Sequence, residues 1–343
     1  MTHYRPWNSL QTGEAGFRGC GKSMTTKRLL RIRAADGETA LGLWEMPPAG
    51  KVTRPPVLLV HGATFGSALF DLPLAGYSLM QELAGSDRFV YAVDVRGYGT
   101  SVESSVMNSP PLTHPPFARA RHAVEDIAAA VSEIQRRRGE QPIDLVGFSW
   151  GTITAGWYAG VHAARVRRLV LYAPLFAEIN ALWMERIGDP ANRGKLAGHF
   201  GAYRLIAKAD VIARWDSDAS GDPRDVREDG VVESLFEAAA RHDALAGSHH
   251  APAFRCPNGA LADLIEVFNG RPLYDPATIE APVLLVRGEC DTTSTASDMR
   301  RLEAAIGSAE KSCLEIPDGS HFLCIEKNRM SLYRAVNAYL TKD

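Results

Sequence analysis

The sequence predicts an α/β fold: a mostly parallel central sheet with helices on both faces, interrupted by one largely helical insertion. Three observations carry this expectation. Short, continuously apolar runs recur along the chain, as strands buried on both faces of a parallel sheet do. Stretches of helical length and period lie between most of them, so strand and helix alternate. The rhythm fails once, for roughly 100 residues, where a parallel crossover needs only a dozen or two.

Residues 1–26 are polar, Gly-rich and aperiodic, which reads as an N-terminal arm outside the core. Lys27 to Arg33 and Glu38 to Glu45 then alternate apolar with polar residues around Asp36-Gly37, the signature of an antiparallel hairpin. Buried strands are expected at Val57 to Val60, Phe89 to Val93, Ile143 to Val146, Leu169 to Tyr172, Val283 to Val286 and Cys313 to Ile316. Helices are expected over Leu69 to Leu83, Phe117 to Arg138, Thr152 to Val166, Thr295 to Ile306 and Phe322 to Leu340. The core domain is therefore assigned to 27–176 and 281–343, and 177–280 to an inserted cap rich in aromatic residues. Because the insertion leaves after Tyr172 and returns before Val283, both attachment points are expected on the edge that carries the functional loops.

At 343 residues, with 45% apolar and 23% charged, the chain can bury a large core and is neither disordered nor fibrous. Its 38 Lys and Arg against 40 Asp and Glu argue against nucleic acid or an anionic membrane as partner. The N-terminus has no apolar signal core and no apolar run approaches the ~20 residues of a membrane span, so a cytoplasmic location is expected. Cys20, Cys256, Cys290, Cys313 and Cys324 are scattered and odd in number, which suits reduced thiols. No His or Cys cluster has metal-ligand spacing, so neither a metal nor another cofactor is expected, only a small-molecule substrate; the oligomeric state is left open.

Gly147-Phe148-Ser149-Trp150-Gly151 matches Gly-x-Ser-x-Gly, a pattern that chance alone puts in about one chain in six of this composition. Its context adds weight, because the apolar run Ile143 to Val146 enters the serine and a helical stretch leaves it. A serine on such a sharp strand-to-helix turn projects its hydroxyl out of the sheet. Taken alone, it serves equally well as a helix cap. A serine nucleophile needs a base, and the base an orienting acid. Asp291 follows the strand at Val283 to Val286, and His321 follows the last strand. Strand ends of a parallel sheet share an edge, so Ser149, Asp291 and His321 can meet there. Separately, Asp291 suits a turn and His321 a helix start. Together, in that order and each at a strand end, they suit a catalytic triad.

These features resemble the α/β-hydrolase superfamily, esterase-like, from about residue 27 to the C-terminus, with the insertion as the cap. His61-Gly62-Ala63-Thr64 resembles the family's oxyanion loop, which implies that the backbone N–H groups of Ala63 and Trp150 form the oxyanion hole, with Thr64 as a second possible donor. Asp94-Val-Arg96-Gly97-Tyr-Gly99-Thr-Ser101 resembles a loop that is mainly structural in the family, and His61 is read as structural too. The implied reaction is hydrolysis of a carboxylic ester of a small to medium, partly hydrophobic substrate through an acyl-enzyme. C–C bond, lactone or amide hydrolysis and acyl transfer would use the same triad, and a non-catalytic ligand-binding protein is the alternative of another class. Thr64, Trp183, Met184 and Trp215 are candidate substrate contacts, although the aromatic residues would equally suit the cap's own core. Gly16 to Ser23 matches a phosphate-binding loop in letters alone, since no apolar strand precedes it and a strand rather than a helix follows.

Overall fold

The computed structural model describes residues 26–218, 221–249 and 251–342, so most of the expected arm, Cys20 and the Gly16 to Ser23 match lie outside the described residues. At Asp36-Gly37 the chain reverses as expected, pairing β1 (Arg28–Arg33) antiparallel with β2 (Ala40–Met46). The Asp36 carboxylate accepts the Glu38 and Thr39 amides and the Thr39 hydroxyl, while Gly37 takes a φ of +73° that few other residues adopt.

Next come β3 (Val57–Val60), α1 (Leu79–Ala84), β4 (Val90–Asp94), α2 (Ala120–Arg138), β5 (Ile143–Phe148), α3 (Trp150–Val161) and β6 (Val166–Tyr172). The helix expected over Leu69 to Leu83 is confined to its last turns. Pro73 and Gly76, at a φ of +77°, interrupt it, and Ser78 starts α1 by accepting the Gln81 N–H.

The insertion contains α4 (Ala181–Ile187), β7 (Gly188–Asp189), β8 (Asn192–Leu196), β9 (Tyr203–Ala207), α5 (Lys208–Asp216), α6 (Pro223–Val226), α7 (Val231–Ala240), β10 (Ala253–Pro257) and α8 (Gly259–Val267). It is more mixed than expected: β9 pairs with β10 and β7 with β8, both antiparallel, although 46 residues separate Ala207 from Ala253. Long-range pairing of this kind leaves little trace in local periodicity.

The chain finishes with β11 (Val283–Gly288), α9 (Ala296–Ala305), β12 (Lys311–Ile316) and α10 (Arg329–Leu340). The last helix starts later than expected, because Glu326 turns back and its carboxylate accepts the amide and hydroxyl of Ser320. One eight-stranded sheet runs β1-β2-β4-β3-β5-β6-β11-β12, antiparallel only across β1-β2 and β2-β4. Among the described residues no helix is long and apolar enough to cross a membrane.

The parallel strands β3, β5, β6, β11 and β12 all end on one edge. One topological expectation needs correction. The insertion leaves from that edge after Tyr172, but it re-enters the sheet at Val283, which pairs with Leu169 in a parallel register. A strand parallel to its neighbour must begin at the opposite edge, so only the exit lies beside the functional loops.

Candidate active site

The turn from β5 into α3 forces Ser149 to a φ of 54° and ψ of −122°, a region that costs a non-glycine residue of order 1–3 kcal/mol. Its neighbours hold it there. Its N–H donates to the Tyr172 carbonyl at 2.9 Å, and its carbonyl accepts from the Thr152 amide and hydroxyl. The turn tolerates no side chain at its flanks: a Cβ on Gly147 would lie 2.3 Å from the Gly151 carbonyl oxygen, and one on Gly151 would lie 2.5 Å from the Val60 and His61 oxygens. The hydroxyl is thereby aimed at the strand edge.

Asp291 and His321 arrive from β11 and β12. His321 Nε2 lies 2.9 Å from Ser149 Oγ, and its Nδ1 lies 2.8 Å from Asp291 Oδ2. The other oxygen of Asp291 accepts the Thr293 and Ser294 amides, each at 2.8 Å. A carboxylate can only accept from Nδ1, so the imidazole carries its proton there and leaves Nε2 to accept from the serine. Burial alone would raise the Asp291 pKa, but the charge and hydrogen bond of His321, helped by the two amides, hold it below the ordinary carboxylate value. Arg287 orders the loop from below, donating to the Asp291 and Ser294 carbonyls. Nothing in the sequence pattern distinguishes Arg287 from any other strand-end arginine.

The loop after β3 closes the other side of Ser149. A Cβ on Gly62 would lie 3.1 Å from the Ser149 Cβ, a measure of how near the loop passes. His61 is wholly buried; Nδ1 donates to the Gly62 carbonyl and Nε2 accepts the Val95 N–H. Burial lowers its pKa, so it is a neutral strut that moves no protons. Among the described residues the N–H groups of Ala63, Thr64 and Trp150 donate to no protein acceptor. Trp150 occupies the first position of α3, where helix geometry leaves the amide unpaired and the dipole is positive. The Ala63 carbonyl is held from three directions, by Tyr98 Oη at 3.2 Å, Arg204 Nη2 at 3.3 Å and Cys256 Sγ at 3.2 Å. Two of these three donors, Arg204 and Cys256, come from the insertion. The Asp94 loop stays out of the chemistry: Asp94 accepts Ser67, Thr100 and Trp44 donors, and Arg96 pairs with buried Asp126.

Ser149 and His321 open into a cavity of about 230 Å³ whose roof is the insertion, through residues such as Trp183, Phe200, Arg204 and Arg214. Thr64 and Trp183 are in its wall. Met184 and Trp215 are not, which corrects their placement as substrate contacts. Met184 packs on the hydrophobic core, while Trp215 is fully buried, its indole N–H donating to Glu326 at 3.1 Å and its ring lying 5.1 Å from Phe322. The Trp150 side chain also points away, its indole N–H donating to Asp263 at 3.1 Å.

Known proteins share this architecture. No curated protein matches the sequence. In fold, the chain is similar to a thermophilic esterase from Thermogutta terrifontis (TM-score 0.61, 19% identity, covering 91% of this chain and 98% of that one). It is similar to an esterase from Exiguobacterium antarcticum (TM-score 0.61, 15% identity, 91% and 99%) and to a hydrolase from Pseudomonas aeruginosa PA01 (TM-score 0.61, 20% identity, 92% and 98%). The family model described as "Alpha/beta hydrolase family" matches residues 57–329, from the start of β3 to the first residue of α10, and with it the chain belongs to that family.

Proposed function

We propose that the protein is a serine hydrolase that cleaves carboxylic esters of small to medium, partly hydrophobic substrates through an acyl-enzyme. The observation that carries this reading is the single imidazole held between Ser149 Oγ and Asp291 Oδ2 at 2.9 and 2.8 Å. In this reading Ser149 Oγ attacks the ester carbon as its proton passes to His321 Nε2, and Asp291 stabilises the imidazolium. The tetrahedral oxyanion accepts from the Ala63 and Trp150 amides, with Thr64 beside them. On collapse, His321 returns the proton to the departing alcohol oxygen. Water then attacks the acyl-enzyme by the same route, releasing the acid and restoring Ser149.

The esterases among the similar folds support ester chemistry, and the cavity wall fits a partly apolar substrate. The test is a panel of 4-nitrophenyl esters with a fluorophosphonate probe for the nucleophile. Wild type should turn over at least one ester and label at Ser149, and Ser149→Ala should fold normally, resist labelling and lose on the order of 10⁴-fold in kcat. Unchanged turnover by the alanine variant would end the serine mechanism.

A further inference from the structure

We infer that the substrate carries a carboxylate close to its scissile bond and that Arg204 receives it, an inference that rests on the ester-hydrolase reading. Arg204 projects from β9 into the wall of the cavity that holds Ser149 and His321. Its guanidinium is fixed by neutral acceptors only. Nη1 donates to the Pro257 carbonyl at 3.1 Å and to Asn258 Oδ1 at 2.9 Å, and Nη2 donates to the Ala63 carbonyl at 3.3 Å. Asn258 is itself fully buried and anchored on the Gly201 carbonyl. The cation is therefore oriented before any ligand arrives.

The other charges in the wall are answered within the protein. Arg214 pairs with buried Asp218 at 2.5 Å and donates to the Thr293 hydroxyl. Asp210 accepts the Ala207 N–H at the start of α5, where the helix dipole favours an anion. Among the described residues no carboxylate comes within ion-pair distance of Arg204. A guanidinium has five N–H donors, and the contacts above occupy three. Nε–H and the second Nη2–H remain, enough for the two-point contact that a carboxylate makes best. A cation without a counter-ion is costly beside apolar surface, and an anionic substrate would remove that cost as it binds.

Position narrows the substrate class. Arg204 touches the carbonyl of Ala63, the residue whose own N–H belongs to the oxyanion loop, so an anion on Arg204 sits only a few bonds from the reacting carbonyl. Two kinds of ester satisfy this: monoesters of short dicarboxylic acids, with the charge on the acyl side, and esters of hydroxy acids, with the charge on the alcohol side.

The rival role for Arg204 is purely positional, holding the Ala63 carbonyl. Matched ester pairs separate the two. On the acyl side, 4-nitrophenyl hydrogen glutarate is compared with 4-nitrophenyl valerate; on the alcohol side, 4-acetoxybenzoate with 4-acetoxytoluene. For wild type, kcat/KM for the charged member should exceed the neutral one by about tenfold in at least one pair, with the difference chiefly in KM. Arg204→Gln should erase that ratio and Arg204→Lys should keep part of it, because an ammonium supplies charge without the fork. A positional role lowers both members equally, so an unchanged ratio in Arg204→Gln overturns the inference, as does a wild type indifferent to charge in both pairs. Glutarate provides a readout free of turnover: it should raise the thermal midpoint of wild type but not of Arg204→Gln, and no shift in wild type overturns the carboxylate site. Failure of the ester reading looks different, since wild type would then turn over neither member of either pair and Ser149 would resist the fluorophosphonate.

Discussion

The two carboxylates near the end of β11 show how much a single side chain's direction decides. Asp291 spends one oxygen on His321 and the other on two backbone amides, whereas Glu289 presents an exposed side chain. Asp291→Asn can place an N–H donor against Nδ1–H or turn the ring to the wrong tautomer, and either should lower kcat by about 10⁴-fold. Glu289→Gln should change it by less than about twofold, and the reverse ranking of the two amides would refute the assignment. Stability carries a second signature. The folded pKa of Asp291 lies below the ordinary carboxylate value, so the ionised group contributes stability above the unfolded pKa of about 3.9 and loses it as pH falls through the lower folded value. Denaturant titrations should thus show the gap between wild type and Asp291→Asn narrowing below about pH 4, and a gap that widens there would contradict the depressed pKa. Ser149, Asp291 and His321 were legible in the sequence because each stands where an apolar run stops. Arg204 was not, since it belongs to no motif and lies in a stretch whose strand partner is 46 residues away or more.

Among the elements, the β5-to-α3 turn was the easiest to read and is the least tolerant of change. Its glycines do separate jobs: Gly147 admits the backbone of Gly151, and Gly151 lets α3 approach the end of β3. The atoms met by an added methyl are backbone oxygens, which cannot rotate aside. Gly151→Ala should therefore push α3 away from Val60 and His61, lowering stability by about 1–3 kcal/mol and displacing the Trp150 amide. Circular dichroism melts together with kcat on the best ester would show both losses, and a variant with wild-type midpoint and turnover would mean that the turn is more pliable than its geometry implies. Element order is plainer in the sequence than element boundaries are. The helix expected from Leu69 stops short because Pro73 and Gly76 break it, and the last helix is delayed by the Glu326 to Ser320 contacts, which depend on tertiary placement rather than on period.

Across the whole molecule, the insertion and the sheet are tied together by contacts that local sequence does not announce. Trp215 and Trp183 illustrate the division. Both are cap tryptophans that the sequence offers as substrate contacts on equal terms, yet Trp215 reaches down to Glu326 in the core while Trp183 faces the cavity, stacked on Phe268 and bonded through its indole N–H to Thr293. Glu326 in turn holds the Ser320 amide, one residue before His321, so Trp215 braces the base from behind. Two outcomes follow from this difference in direction. Trp215→Ala leaves a large void and takes one donor from the buried Glu326 carboxyl, which keeps those of Ser320, so the thermal midpoint should fall by the equivalent of about 3–5 kcal/mol while the order of preference among esters survives. Trp183→Ala should cost less stability, because its ring is already partly exposed to the cavity, yet it should reorder kcat/KM among esters of different acyl or alcohol size. Thermal midpoints and kcat/KM for three esters on both variants decide the matter. If Trp183→Ala lowers the midpoint as far as Trp215→Ala does and leaves the order intact, then the cavity wall there is part of the insertion's own core and selection of the substrate lies elsewhere.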